Sequence, residues 1–197
     1  MTIAATLPIP HERRKGLPGD LAIWFFILAE LLVFGVLFLA YAFTRAQDVE
    51  VFDASQLELD RLSGAINTVL LITSSYFVVI AVDRIRHGAS RACAHWLVGA
   101  MVLGAGFLAL KLFEFGAKFG AGIDMSTNRF YMFYIGLGFF HFMHVVLGMV
   151  ILGAIALKAW RGGYSAAEHT GVETGASYWH MVDLVWIILF PLIYVLR

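Results

Sequence analysis

Residues 21–43 read LAIWFFILAELLVFGVLFLAYAF, an apolar run broken only by Glu30. A helix needs about 20 apolar residues to cross a bilayer core, so this stretch is long enough to span one. Arg13, Arg14 and Lys15 precede it and Ala40-Tyr41-Ala42 imitates a signal-peptidase site. The apolar core of a signal peptide is only about 7 to 15 residues, however. The expectation is therefore a retained transmembrane helix.

Working outward, four further runs qualify as spans: 65–82, 97–119, 130–157 and 179–196. With 60% hydrophobic and 14% charged residues and a mean hydropathy of +0.81, the chain does not have the composition of a soluble domain. The loops are too short for a separate soluble unit. The expected fold is all-α: an integral membrane bundle of five transmembrane helices, with residues 1–20 as an N-terminal cytoplasmic tail and 21–197 as a single five-helix transmembrane domain. Net charge is zero, which gives no electrostatic reason to expect a nucleic-acid partner. Cys93 is the one cysteine, so an internal disulfide and any CxxC site are excluded.

Basic residues set the orientation. Arg13, Arg14, Lys15, Arg84, Arg86, Arg91, Lys158 and Arg161 fall on one side of a five-span topology, and Arg45, Arg61, Lys118, Arg129 and Arg197 on the other. The richer side belongs in the cytoplasm, which puts the C-terminus in the periplasm of a bacterial inner membrane. Asp20, after Pro18 and Gly19, suits an N-cap for the first span. Residues 44–64 carry Asp48, Glu50, Asp53, Glu58 and Asp60 and read as a solvated acidic loop, with docking of a basic partner as the sharper alternative. Ser126-Thr127-Asn128 should begin the fourth span, and Pro191 should kink the fifth. Gly116 and Gly120 form a GxxxG, and Ala100 with Gly104 a second small-residue pair, so the third and fourth spans should pack closely. Gly136, Gly138, Gly148 and Gly153 thin the fourth. Trp24, Trp96, Trp160, Tyr178 and Trp179 read as an interfacial belt.

Ionisable residues at bilayer depth are the candidates for function, because each costs about 2.5 to 3.5 kcal/mol to insert at a helix centre. They are Glu30, Lys111, Glu114, His141 and His144. Glu30 is about 15 Å along an outward-running helix at 1.5 Å per residue, and His144 returns to a similar depth on the fourth span; the two are expected to hydrogen-bond. Lys111 and Glu114, three apart, can neutralise one another. Asn67, Thr68, Thr73, Ser74 and Ser75 offer further polar partners. His180 and Asp183 share a face near the start of the last span, as an interfacial anchor or as a polar cluster with Glu173 that takes a lipid headgroup or a neighbouring subunit. A bis-histidine haem needs ligands on opposing helices at one depth. His144 has no such match, and His95 and His180, which could meet one another, sit at span ends. Buried polar groups holding the bundle in register and a continuous transport path both stay open.

At this point the chain resembles a known family. ETGASYWHMVDLVW (173–186) resembles the final-helix signature of haem–copper oxidase subunit III. FHFMHVVLG (140–148), NTVLLITSS (67–75), FFILAELLVFGVLF (25–38) and KLFEF (111–115) are similar to its other helices, in order, in a five-span form. The GDLAIW opening (19–24) and the short charged first loop look most like the branch associated with nitric oxide reductases. The resemblance implies a non-catalytic accessory subunit without redox metal or other cofactor. Its partners would be the catalytic haem–copper subunit and a structural phospholipid, and it would support proton uptake. On this reading Glu30 and His144 line a lipid-accessible cleft, while Lys111, Glu114, His141, Glu173, His180 and Asp183 serve as structural or lipid-contacting groups. Two rivals from other classes are a small proton or solute transporter, which substrate-dependent flux in liposomes would reveal, and a membrane cytochrome, which a Soret band would reveal.

Overall fold

The computed structural model describes residues 19–196. Among these, six α-helices and one π-helical turn appear and no strand: α1 (Leu21–Gln47), α2 (Val49–Leu57), α3 (Arg61–Arg86), α4 (Ser90–Gly120), α5 (Arg129–Trp160), α6 (Thr170–Phe190) and the turn Pro191–Val195. Five helices are long and apolar enough to cross a membrane: α1, α3, α4, α5, and α6 continued through the turn to Val195. The basic cluster Arg13, Arg14 and Lys15, and Arg197, lie outside the described residues. The face of the bundle at which α1 begins is called the near face below, and its opposite the far face.

Side-chain caps set several helix starts. The Asp20 carboxylate accepts from Ala22 N at 3.2 Å and opens α1. Asp60 accepts from Leu62 N at 2.9 Å and Ser63 N at 3.2 Å and opens α3. Asn128 accepts from Tyr131 N at 2.9 Å and opens α5, while Ser126 and Thr127 close a tight turn on Asp124 instead. Those bonds hold the Asp60 and Asp124 carboxyls below the usual carboxylate range, the bond from Ser63 contributing most at Asp60 and that from Ser126 most at Asp124.

Tertiary contacts change three expectations. The acidic segment 44–64 is not a solvated loop: α2 lies inside it and buries Phe52, Ser55 and Gln56. Gln56 Nε2 donates to Ile193 O at 2.7 Å, and Arg45–Asp53 at 2.9 Å and Arg129–Asp48 at 2.7 Å pin the segment across the far ends of α1 and α5. The last helix starts at Thr170 rather than 179, so Tyr178 and Trp179 are buried rather than interfacial. A Cβ placed on Gly116 or Gly120 would meet nothing within 4 Å, so that GxxxG is not a packing face. Close approaches fall elsewhere: a Cβ on Gly148 would lie 2.8 Å from Trp179, and one on Gly104 2.8 Å from Met149 and 3.0 Å from Trp179. Trp179 therefore fills a notch that α4 and α5 open with glycine. Finally, Pro191, which lacks an N–H, is followed by a π-helical turn that returns Leu196 N to Pro191 O at 2.9 Å.

Candidate functional site

Three polar clusters sit inside the apolar bundle. In the first, His144 on α5 points Nε2 at Glu30 Oε2 of α1, 2.9 Å away, and holds Phe140 O with Nδ1 at 2.8 Å. With both ring nitrogens engaged and Phe34 and Phe140 edge-on to the ring at 5.2 and 4.6 Å, the imidazole has one orientation. This is the pairing expected from the depths of the two residues. The Glu30 side chain keeps 20% of its surface. Beside it, between α1 and α5, runs an apolar groove of about 330 Å³ lined by Leu37, Met132, Phe133, Gly136, Leu137 and Phe140.

The second cluster centres on Lys111, which is 1% exposed. Its Nζ lies 2.9 Å from Glu114 Oε2 and 2.6 Å from the Tyr194 hydroxyl. Tyr134 and Tyr194 donate to the other carboxylate oxygen at 2.7 and 2.6 Å. Phe115, Tyr134, Trp186 and Tyr194 surround the ammonium with ring centroids at 5.2 to 5.3 Å, close enough for cation–π attraction. The local Lys111–Glu114 pair was legible from spacing, but the two tyrosines were not. A signal for Tyr134 existed, since it precedes His141 by two helical turns on the same face of α5.

The third cluster occupies a cleft of about 360 Å³ between α3 and α6 near the near face, lined by Val79, Asp83, Arg86, Glu173, Ser177 and His180 among others. Glu173 accepts from Arg86 at 2.8 and 3.2 Å and from Gly19 N at 3.3 Å, with His169 Nε2 at 3.3 Å. Gly19 has φ 83°, and a Cβ there would lie 2.9 Å from Thr174 Oγ1, so glycine lets the chain enter α1 against α6. His180 shares the cleft with Glu173, in keeping with the polar-cluster reading, but its ring bonds elsewhere: its Nδ1 is 2.6 Å from Ser75 Oγ of α3. It does not meet His95, whose ring lies tilted against that of Trp160 with centroids 4.9 Å apart. Asp183 lies deeper on α6, buried, with Oδ1 unpartnered. His141 is fully buried, with Nε2 3.0 Å from Val182 O and Nδ1 unpartnered.

Among the described residues, no group of three or more His, Cys, Asp or Glu side chains is arranged to hold a metal ion. The fold and these clusters define a polytopic helical membrane protein whose deep charges are mostly neutralised by partners within the chain. Residues 11–197 match the family model for cytochrome c oxidase subunit III. The chain is 36% identical over 173 residues to the cytochrome c oxidase subunit 3 of Thermostichus vulcanus, covering 87% of this chain and 84% of that one. It is 27% identical over 196 residues to the quinol oxidase subunit 3 of Bacillus subtilis, covering 96% and 92%. It is 28% identical over 193 residues to the haem–copper oxidase subunit I+III of Aeropyrum pernix, covering 95% of this chain and 23% of that fused one. The chain belongs to the cytochrome c oxidase subunit III family. It is thus an accessory subunit of a respiratory oxidase and not the catalytic subunit.

Proposed function

We propose that this subunit braces the catalytic haem–copper subunit in the bacterial inner membrane and keeps a structural phospholipid between them, with the near face cytoplasmic and a supporting role in proton uptake. The observation that carries this reading is the α1–α5 groove. Its walls are apolar, and one of them is Phe140, which packs on His144 of the Glu30–His144 pair. An acyl chain fits such walls without desolvating a polar group. Only 11% of the most apolar stretch of α1 is buried within the chain, against 56% for the last span, which leaves α1 a broad surface for lipid or a partner.

The test is affinity purification in mild detergent, with haem spectroscopy and mass spectrometry of co-purifying chains and lipids. A haem-bearing catalytic chain and at least one phospholipid per complex are expected. Gly136→Phe, which fills the groove, should lower the phospholipid content. Recovery of the subunit without any haem protein overturns the bracing role, and unchanged lipid in Gly136→Phe overturns the lipid site. The identity of the recovered partner also decides between an oxidase and a nitric oxide reductase.

A further inference from the structure

A file of oxidisable rings runs through the far half of the bundle. Trp186 of α6 is fully buried, and its ring centroid lies 6.5 Å from that of Tyr194. Tyr194 lies 6.2 Å from Tyr134 of α5, and Tyr134 lies 6.2 Å from Tyr131. Each phenol already donates to a carboxylate. Tyr194 and Tyr134 share Glu114 Oε1 at 2.6 and 2.7 Å, and Tyr131 bonds Glu58 Oε2 at 2.6 Å. Such short O–H···O⁻ bonds are charge-assisted, and each phenolic proton has a base beside it. Trp186 donates instead to the Thr68 hydroxyl, which donates in turn to Gly64 O.

We propose that Trp186, Tyr194, Tyr134 and Tyr131 form a radical-transfer chain that carries oxidising equivalents from the core to the far face. The oxidant is a high-potential one-electron acceptor, of the class that a haem iron becomes after reacting with dioxygen or peroxide. Trp186 loses one electron to it and becomes a radical cation. Tyr194 returns an electron to Trp186 and passes its phenolic proton to Glu114 Oε1, which leaves a neutral tyrosyl radical. Tyr134 then gives Tyr194 an electron. Its proton replaces, on the shared oxygen, the one that Tyr194 takes back. Last, Tyr131 gives Tyr134 an electron and gives Glu58 its proton, while Tyr134 recovers the proton held by Glu114. The net change is one electron from Tyr131 to the oxidant and one proton from Tyr131 to Glu58, with every other group restored.

Charge sets the direction of travel. The Lys111 ammonium lies 5.3 Å from the Trp186 centroid. It is attracted to that ring while the ring is electron-rich and repelled once an electron has left. Radicals at Tyr194 and Tyr134 are neutral but leave Glu114 protonated, so the buried ammonium loses the carboxylate charge 2.9 Å away. Tyr131 avoids both costs. Its base, Glu58, is exposed and lines a far-face pocket of about 430 Å³, from which its proton can pass to water. Lys118 donates to the Glu58 backbone carbonyl, so protonating the carboxylate breaks no ion pair with it. Glu114 reaches the same pocket, but its side chain is only 8% exposed. The transfer is a property of this chain alone; its use against oxidants of a haem-bearing partner rests on the role proposed above.

Laser photoionisation of tryptophan in the full chain, held in phospholipid nanodiscs, tests the transfer by time-resolved absorption and electron paramagnetic resonance. The tryptophan radical signal should decay as a tyrosyl signal grows, and heavy water should slow that growth. Trp186→Phe should lower the tyrosyl yield several-fold. Trp96→Phe, at a ring that meets Phe77, should leave the yield unchanged. Tyr131→Phe should abolish the long-lived tyrosyl signal and leave one that decays back. Glu58→Gln, an exposed change, should slow formation of the long-lived signal by roughly tenfold or more. A long-lived tyrosyl signal that survives Trp186→Phe or Tyr131→Phe undiminished, or forms at the wild-type rate in Glu58→Gln, overturns the proposal. If a ring variant does not fold, Glu58→Gln decides alone. Co-purification of the catalytic subunit tests the accessory role separately and is unaffected by either result.

Discussion

Glu30 and His144 are the simplest test of single side chains. Glu30→Ala leaves the Nε2 of the buried imidazole without its carboxyl partner and should destabilise the protein by about 1 to 2 kcal/mol, the range of intramembrane hydrogen bonds. Thermal unfolding in detergent measures this, and a wild-type midpoint with wild-type lipid content would show that the 2.9 Å contact contributes nothing. Lys111 is more demanding. Lys111→Met strands the Glu114 carboxylate in the core and should cost about 3 to 5 kcal/mol, as breaking a buried pair does. Lys111→Met with Glu114→Leu should cost clearly less than the two single changes summed, because the pair couples; strict additivity would refute the coupling. The sequence located both pairs through depth and spacing. Tyr134 and Tyr194 escaped it because they meet Glu114 only after α4, α5 and the Pro191 turn converge.

At the level of elements, Gly148 and Gly116 make opposite predictions. Gly148→Leu drives a side chain into the Trp179 ring and should cost about 1 to 3 kcal/mol through overpacking, whereas Gly116→Leu meets open space and should leave the unfolding midpoint near wild type. Equal effects would refute the notch. The start of α3 gives a pH test. Asp60 has a lowered carboxyl pKa in the fold because Ser63 and Leu62 donate to it. The capping contribution is therefore present above the unfolded value of about 4 and is lost as pH falls through the lower folded value. Asp60→Asn should show a smaller loss of thermal stability between neutral pH and pH of about 3 than wild type; an identical acid profile would assign the loss to other groups. Helix α2 shows why segment 44–64 misled: its acids do face outward or pair, but Phe52 and Gln56 have no helical period strong enough to mark a buried face in nine residues.

Over the whole molecule, burial is uneven. α6 is packed on α3 and α5 and carries the largest buried rings, Trp179 and Trp186, while α1 exposes Leu21, Phe25, Leu28, Leu32, Leu39 and Phe43 along its outer face. Removed from its native membrane and partner, α1 should loosen first. Hydrogen exchange in a harsh detergent should therefore reach α1 amides before those of α4, α5 and α6; simultaneous exchange would mean a fully cooperative bundle. The same asymmetry bears on assembly, since a helix held weakly by its own chain is best held by lipid or a second subunit.

Hydropathy, length and motif order alone determined that this chain is a five-span helical protein and a subunit III relative, because a bilayer demands long apolar helices whatever their arrangement. They also determined which charges needed explaining. Only the tertiary structure decided who explains them. It gave Glu114 two phenols, gave His180 a serine rather than Glu173, and placed Trp179 against Gly104 and Gly148. Those partners lie on different helices, and their meeting depends on rotation and depth, which helical periodicity within one span does not specify.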